Sequence, residues 1–235
     1  MNNDYTLAAI GEYVRTNDVG GGSRTKIGGV PLGFPEELWP ECANCSRPMD
    51  FYCQINLIDP IVVSERYERC YVFLCHGYID RQMPDQCATF LPNVGTNAAI
   101  LISGLNLKKL CKNKGVEVFD SFLCDFSQRE EPIVDSCDAT LPDSAFLDKS
   151  GRNDIRDSTS QVLKIGGTPV FVQDRMDLVC PVCSGKMKFF AQIGSELEDA
   201  GYGGYSLPIG DAGEIYLYKC EQECSPVSTS VFWQC

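Results

Sequence analysis

A stretch of thirty residues occurs twice in this chain of 235, and the second copy lies 138 positions after the first with no gap. Lys26-Ile-Gly-Gly-Val-Pro31, Cys42-Ala-Asn-Cys45 and Met49-Asp-Phe-Tyr-Cys-Gln-Ile55 align on Lys164-Ile-Gly-Gly-Thr-Pro169, Cys180-Pro-Val-Cys183 and Met187-Lys-Phe-Phe-Ala-Gln-Ile193, with twelve identities. Repetition at a fixed offset constrains architecture more than any single motif does. It predicts a tandem duplication: module one over 24–110 and module two over 160–235. Residues 1–23 are expected to supply a short helix and a glycine-rich linker, and 111–159 an acidic connecting segment. The predicted fold class is a β-rich α+β protein, its two modules forming a pseudo-twofold unit.

Within each copy the Gly-Gly and the following Pro dictate a tight turn that needs positive φ, and no Walker spacing follows to make it a phosphate cradle. The segment after each Cys-x-x-Cys alternates with period two. Met49, Phe51, Cys53 and Ile55 are expected on one face, and Asp50, Tyr52 and Gln54 on the other. Met187, Phe189, Ala191 and Ile193 repeat the register, so the modules are expected to pack face to face through these residues. Cys53, which matches Ala191, reads as a core thiol. Cys70–Cys75 and Glu214–Cys220 read as second strands, whereas 97–111 is compatible with either helix or strand.

Fourteen cysteines admit a disulfide scaffold, a metalloprotein or inert thiols,. Met1-Asn-Asn-Asp-Tyr5 has neither a basic start nor an apolar core, so the expectation is a cytoplasmic, reduced protein without a signal peptide. No uncharged run is apolar enough to be a membrane span. An excess of 32 acidic over 20 basic residues disfavours nucleic acid and favours a basic protein partner,.

Zinc takes four soft ligands in a tetrahedron, and a Cys-x-x-Cys turn supplies two of them from one side. Cys180, Cys183, Cys220 and Cys224 make a complete set in module two. In module one Cys42, Cys45 and Cys75 match, with Cys87 as the expected fourth ligand and His76 or Cys70 as rivals. Structural Zn at both knuckles is the expected cofactor. Cys-Pro-Val-Cys also suits a thiol-disulfide oxidoreductase, but there a helix lowers the thiol pKa, and here a strand follows. His76 is the only histidine, and no spacing singles out a carboxylate pair. Gln54 and Gln192 are candidate partner-binding residues together with Asp211, which lies in the glycine-rich 201–213 loop. The function expected is a non-enzymatic, zinc-stabilised protein-binding module. The alternatives are an enzyme of unknown reaction using that loop, or a redox protein.

These motifs, with Gly210-Asp-Ala-Gly213 and the terminal Val231-Phe-Trp-Gln-Cys235, make 26–91 and 161–235 resemble the YwqG-like family and the related programmed cell death protein 2 group. The resemblance implies a duplicated β-rich fold and, in the eukaryotic branch, a chaperone for a basic ribosomal protein.

Overall fold

The computed structural model describes residues 4–15, 24–75, 87, 90–104, 111–115, 120–157, 163–197, 205–206 and 213–235. The strands are β1 (Tyr5–Arg15), β2 (Lys26–Ile27), β3 (Asp50–Asn56), β4 (Arg69–Leu74), β5 (Asn97–Ile102), β6 (Phe122–Pro132), β7 (Leu163–Gly166), β8 (Met187–Gly194), β9 (Glu196–Leu197), β10 (Tyr205–Ser206), β11 (Glu214–Cys220) and β12 (Thr229–Gln234). Ten of them form one antiparallel sheet in the order β12-β11-β8-β7-β1-β6-β2-β3-β4-β5. Its two edges meet. Leu101 N donates to Pro226 O at 2.8 Å and the Thr229 hydroxyl donates to Ala99 O, which nearly closes the sheet into a barrel. Closure removes the exposed edges that a flat sheet would present. The barrel is filled by one apolar cluster to which both ends of the sheet contribute, with Cys53, Val72 and Leu101 from one end and Ile165, Ile193 and Leu217 from the other.

Four expectations are corrected. The opening segment is strand β1, not a helix. Gly11 interrupts any helical reading, and it also leaves room for the Phe126 ring, whose edge lies 2.8 Å from where a Cβ would sit,. The connecting segment contributes β6, which lies between β1 and β2 in the middle of the sheet. Phe122, Leu123 and Cys124 are buried there, and the acidic character belongs to the exposed continuation at Asp125 and Glu130. The α part of the fold class is missing: among the described residues the helices are two short 3-10 turns, Glu36–Leu38 and Asp143–Phe146. Residues 97–102, open between helix and strand from sequence, are β5.

The fourth correction concerns packing. In the β3–β4 ladder the register shifts between Phe51 and Cys53, and in the β8–β11 ladder Phe189 and Ala191 pair with consecutive residues, so that Phe190 is the extra one. A bulge inserts one residue and reverses the alternation beyond it. Cys53 and Ile55 therefore face the barrel interior, while Met49 and Phe51 turn outward into a separate cluster with Phe34, Trp39, Tyr71 and Phe73. On the other side Met187 and Phe189 join Tyr216, Tyr218 and Phe232 in a third cluster. The two halves do not meet face to face through these residues. They are joined edge to edge through β1 and β6, and they share one core.

Candidate metal centres

Each Cys-x-x-Cys is bent by its own backbone. Cys42 N donates to Arg47 O at 2.8 Å and Ser46 N donates back to Cys42 O at 2.8 Å; Cys180 with Gly185 and Ser184 does the same at 2.9 Å in both bonds. Ser46 and Ser184 close these turns in the left-handed region, with φ of 56° and 58°, a conformation that short polar residues tolerate best after glycine. The turn aims both sulfurs one way. The C-terminal end of the second long strand after each turn brings the third thiol, Cys75 after β4 and Cys220 at the end of β11. Cys87 and Cys224 supply the fourth.

The result is two sets, Cys42, Cys45, Cys75 and Cys87, and Cys180, Cys183, Cys220 and Cys224, with the sulfurs of each set all within 4.8 Å of one another. Cys42 and Cys87 stand 3.7 Å apart, Cys45 and Cys75 3.5 Å, Cys180 and Cys224 3.7 Å, Cys183 and Cys220 3.6 Å. A disulfide needs sulfurs about 2.05 Å apart, so these are thiols. Four thiolates about 2.3 Å from a central zinc, at tetrahedral corners, are about 3.8 Å apart. The donor set and its spacing fit such an ion, and both groups can hold a metal.

The protons are unevenly held within each set. Burial works against ionisation of Cys220, but the Cys224 and Gln222 backbone N–H groups aimed at its sulfur outweigh it and bring the pKa down to about 7. Burial likewise opposes the Cys45 thiolate, and the Arg47 N–H with the adjoining thiols lowers its pKa nonetheless. Burial pushes Cys75 well up, Cys87 up to about 11 and Cys224 up to about 12. A metal entering such a set must displace the protons of the high-pKa thiols, so its affinity rises with pH.

Cys87 completes the first set. Cys70, its rival, lies fully buried in the barrel core with its pKa raised by burial, and His76 lies outside the described residues. Cys53 is the core thiol expected.

Gln54 and Gln192 are not surface groups. Each is 1% exposed. Gln54 Oε1 accepts from Leu32 N at 3.0 Å while its Nε2 donates to Arg24 O at 3.1 Å. Gln192 Oε1 accepts from Val170 N at 3.0 Å, and its Nε2 donates to Val170 O and to the Glu214 carboxylate. They pin the irregular chain after each Gly-Gly turn to the barrel wall, and the assignment to partner binding is corrected because the side chains are buried and their hydrogen bonds used. Asp211 lies outside the described residues, as does most of the 201–213 loop; Tyr205 and Ser206 within it form β10 and pair with β9.

The Gly-Gly turns have the positive φ expected, 67° and 66° at Gly28 and Gly29, 69° and 71° at Gly166 and Gly167. What the sequence reading missed is the lysine before each pair. Both are 1% exposed. Lys26 Nζ donates to Val30 O at 2.5 Å and Lys164 Nζ to Thr168 O at 2.6 Å. Lys164 also faces Glu131 at 3.4 Å, whose carboxylate accepts from Arg129 and from Thr168 N. The signal was present: a lysine at the same place in both copies, inside a strand with Ile and Gly.

No family model matches the chain, and no curated protein matches it. No helix of the described residues is long and apolar enough to cross a membrane.

Proposed function

We propose that this protein is a non-enzymatic protein-binding module, held together by two structural zinc ions, which keeps a basic polypeptide on its acidic surface in a chaperone-like manner. The observation that carries the reading is that both metal sets are closed. Each offers a thiol at all four corners, and a catalytic zinc keeps one corner for water or substrate. A metal here clamps a Cys-x-x-Cys turn to a strand end, so any chemistry it does is folding chemistry. The 32 acidic residues against 20 basic ones supply the attraction for a cationic partner,.

An origin by internal duplication is supported by position-for-position equivalence at the 138-residue offset: the Cys turns with Ser46 and Ser184, the buried Lys26 and Lys164, the glutamines Gln54 and Gln192, and the extra residues Tyr52 and Phe190. The same features support membership of the YwqG-like and programmed cell death protein 2 lineage. All fourteen cysteines are free, which supports a reducing, cytoplasmic setting.

The test is retention of a basic polypeptide, such as a lysine- and arginine-rich unfolded protein, on the zinc-loaded chain as salt is raised. Retention at low ionic strength that fades across about 0.1 M salt is the result expected. Failure to retain any basic polypeptide at low salt overturns the reading.

A further inference from the structure

On the outer side of the second half, the chain between Val134 and Ser136, the segment Pro169–Leu178 and the outer faces of β8 and β11 border a half-open cavity of about 320 Å³. Its walls combine two carboxylates, Asp135 and Asp177, with three rings, Phe171, Phe189 and Tyr218. Phe189 and Tyr218 meet edge to face at 5.6 Å.

Two observations mark this cavity as more than a dent in the surface. Tyr218 is only 9% exposed, yet its hydroxyl makes no hydrogen bond to any described residue. By contrast the hydroxyl of Tyr216, two residues earlier on the same strand, donates to Val170 O and accepts from Val172 N. The ring of Tyr218 is packed away, whereas its hydroxyl is not sealed from solvent and stays open on the cavity that Tyr218 lines, where it can pair with a ligand,. The second observation is Arg175. Its Nη1 stands 3.3 Å from Asp135 and its Nε 3.3 Å from Asp177, so the chain's own guanidinium spans the two carboxylates at the rim. The contacts are long and the partners exposed, 57% at Arg175 and 91% at Asp177, and such pairs contribute little. One positive charge between two negative ones leaves the site short of a cation.

We propose that this cavity receives one arginine side chain of a bound basic polypeptide, with Asp135 and Asp177 holding the guanidinium, Tyr218 accepting from one of its N–H groups, and Phe171 and Phe189 flanking its plane. The proposal rests on the reading of the chain as a binder of basic polypeptides. Arginine is preferred to lysine because a planar guanidinium both stacks on rings and bridges separate acceptors, whereas an ammonium is a compact, strongly hydrated point charge. Arg175 is a placeholder that the incoming guanidinium displaces from the rim.

The experiment uses the zinc-loaded full chain and two capped tripeptides, Gly-Arg-Gly and Gly-citrulline-Gly, which differ in charge and hardly in shape. Ring resonances of Tyr218 and Phe189 are followed by NMR as each is added. The arginine peptide moves them saturably, with Kd in the millimolar range, and the citrulline peptide does not. Asp177→Asn weakens the response about fivefold, and Arg175→Gln strengthens it about fivefold, because each changes one charge at the site. Both positions are exposed, so the variants stay folded. Equal responses to the two peptides, or an Arg175→Gln variant that binds no better than the parent, overturn the proposal. If a long basic polypeptide is retained at low salt but the arginine peptide leaves Tyr218 unmoved, the pocket fails and the binding module stands. If the peptide binds and no basic polypeptide is retained, the pocket stands and the broader function fails.

Discussion

Replacing Lys26 by methionine should leave the protein as stable at neutral pH as the parent, or slightly more so, and should remove part of its pH dependence. Lys26 is 1% exposed, its Nζ donates to Val30 O and lies 6.0 Å from the centre of the Phe51 ring. Burial, with the Arg69 charge adding to it, lowers its pKa from 10.5 to about 8. A shift of that size means that holding the proton at pH 7 costs the native state roughly 3 kcal/mol. Methionine removes that cost and loses a hydrogen bond to a carbonyl, worth about 1.5–3 kcal/mol when the donor is charged. The two nearly cancel. The sign with pH follows from the lowered value. Above pH 8 the native lysine gives up its proton while the unfolded one keeps it to 10.5, so the parent gains stability as pH rises through that window,. Urea denaturation of zinc-saturated protein at pH 7, 8, 9 and 10 should show the parent gaining about 2–3 kcal/mol relative to Lys26→Met by pH 10. Lys164→Met is the control, because it leaves the buried Glu131 carboxylate short of a cation, with Arg129 and Thr168 N still in place. Breaking a buried pair costs about 3 kcal/mol or more, so Lys164→Met should be clearly destabilised at pH 7. A Lys26→Met variant as damaged as Lys164→Met, with a pH-independent difference from the parent, would refute the reasoning.

Gly167→Ala should cost well over 2 kcal/mol, since a Cβ there falls 2.4 Å from Glu131 Oε2 and 2.7 Å from Ala8 Cβ, and collision adds to the left-handed penalty of about 1–2 kcal/mol. Gly151→Ala, with φ of 69° and nothing within 4 Å, should cost only the latter; thermal unfolding compares the two. Gln192→Leu strands Val170 N, so it should destabilise by about 1–3 kcal/mol in urea without changing the salt dependence of polypeptide retention. Cys75→Ser should remove one metal from the chain, whereas Cys70→Ala, which alters a core thiol, should remove none; zinc analysis of the purified variants decides.

Much of the metal site was legible in the sequence because ligand geometry is local. A Cys-x-x-Cys turn is made by residues adjacent in the chain, and the repeat showed which downstream cysteines matched. Cys87 is already the preferred fourth ligand from the sequence, and the fold removes its rival Cys70, which sits in β4 within the barrel core. The barrel was less legible. Pairing of β1 with β6 joins residues more than a hundred positions apart, and composition alone made β6 a linker because its polar, charged stretch Asp125–Glu130 is largely exposed although both ends of the strand are buried. The bulges at Tyr52 and Phe190 were invisible to a period-two count, since one inserted residue flips every side chain after it. The glutamines lie on the face expected of them, opposite Cys53 and Ala191, but that face is covered by the chain after each Gly-Gly turn, so their partners are backbone groups and not solvent.

Native mass spectrometry of the full chain, purified without added metal, tests the central claim most directly. The account predicts two zinc ions per chain, one for each four-sulfur set, with the eight ligating thiols protected from a thiol reagent until a chelator removes the metal and the fold loosens. Less than one zinc per two chains, with those thiols freely titratable in the native state, would contradict it.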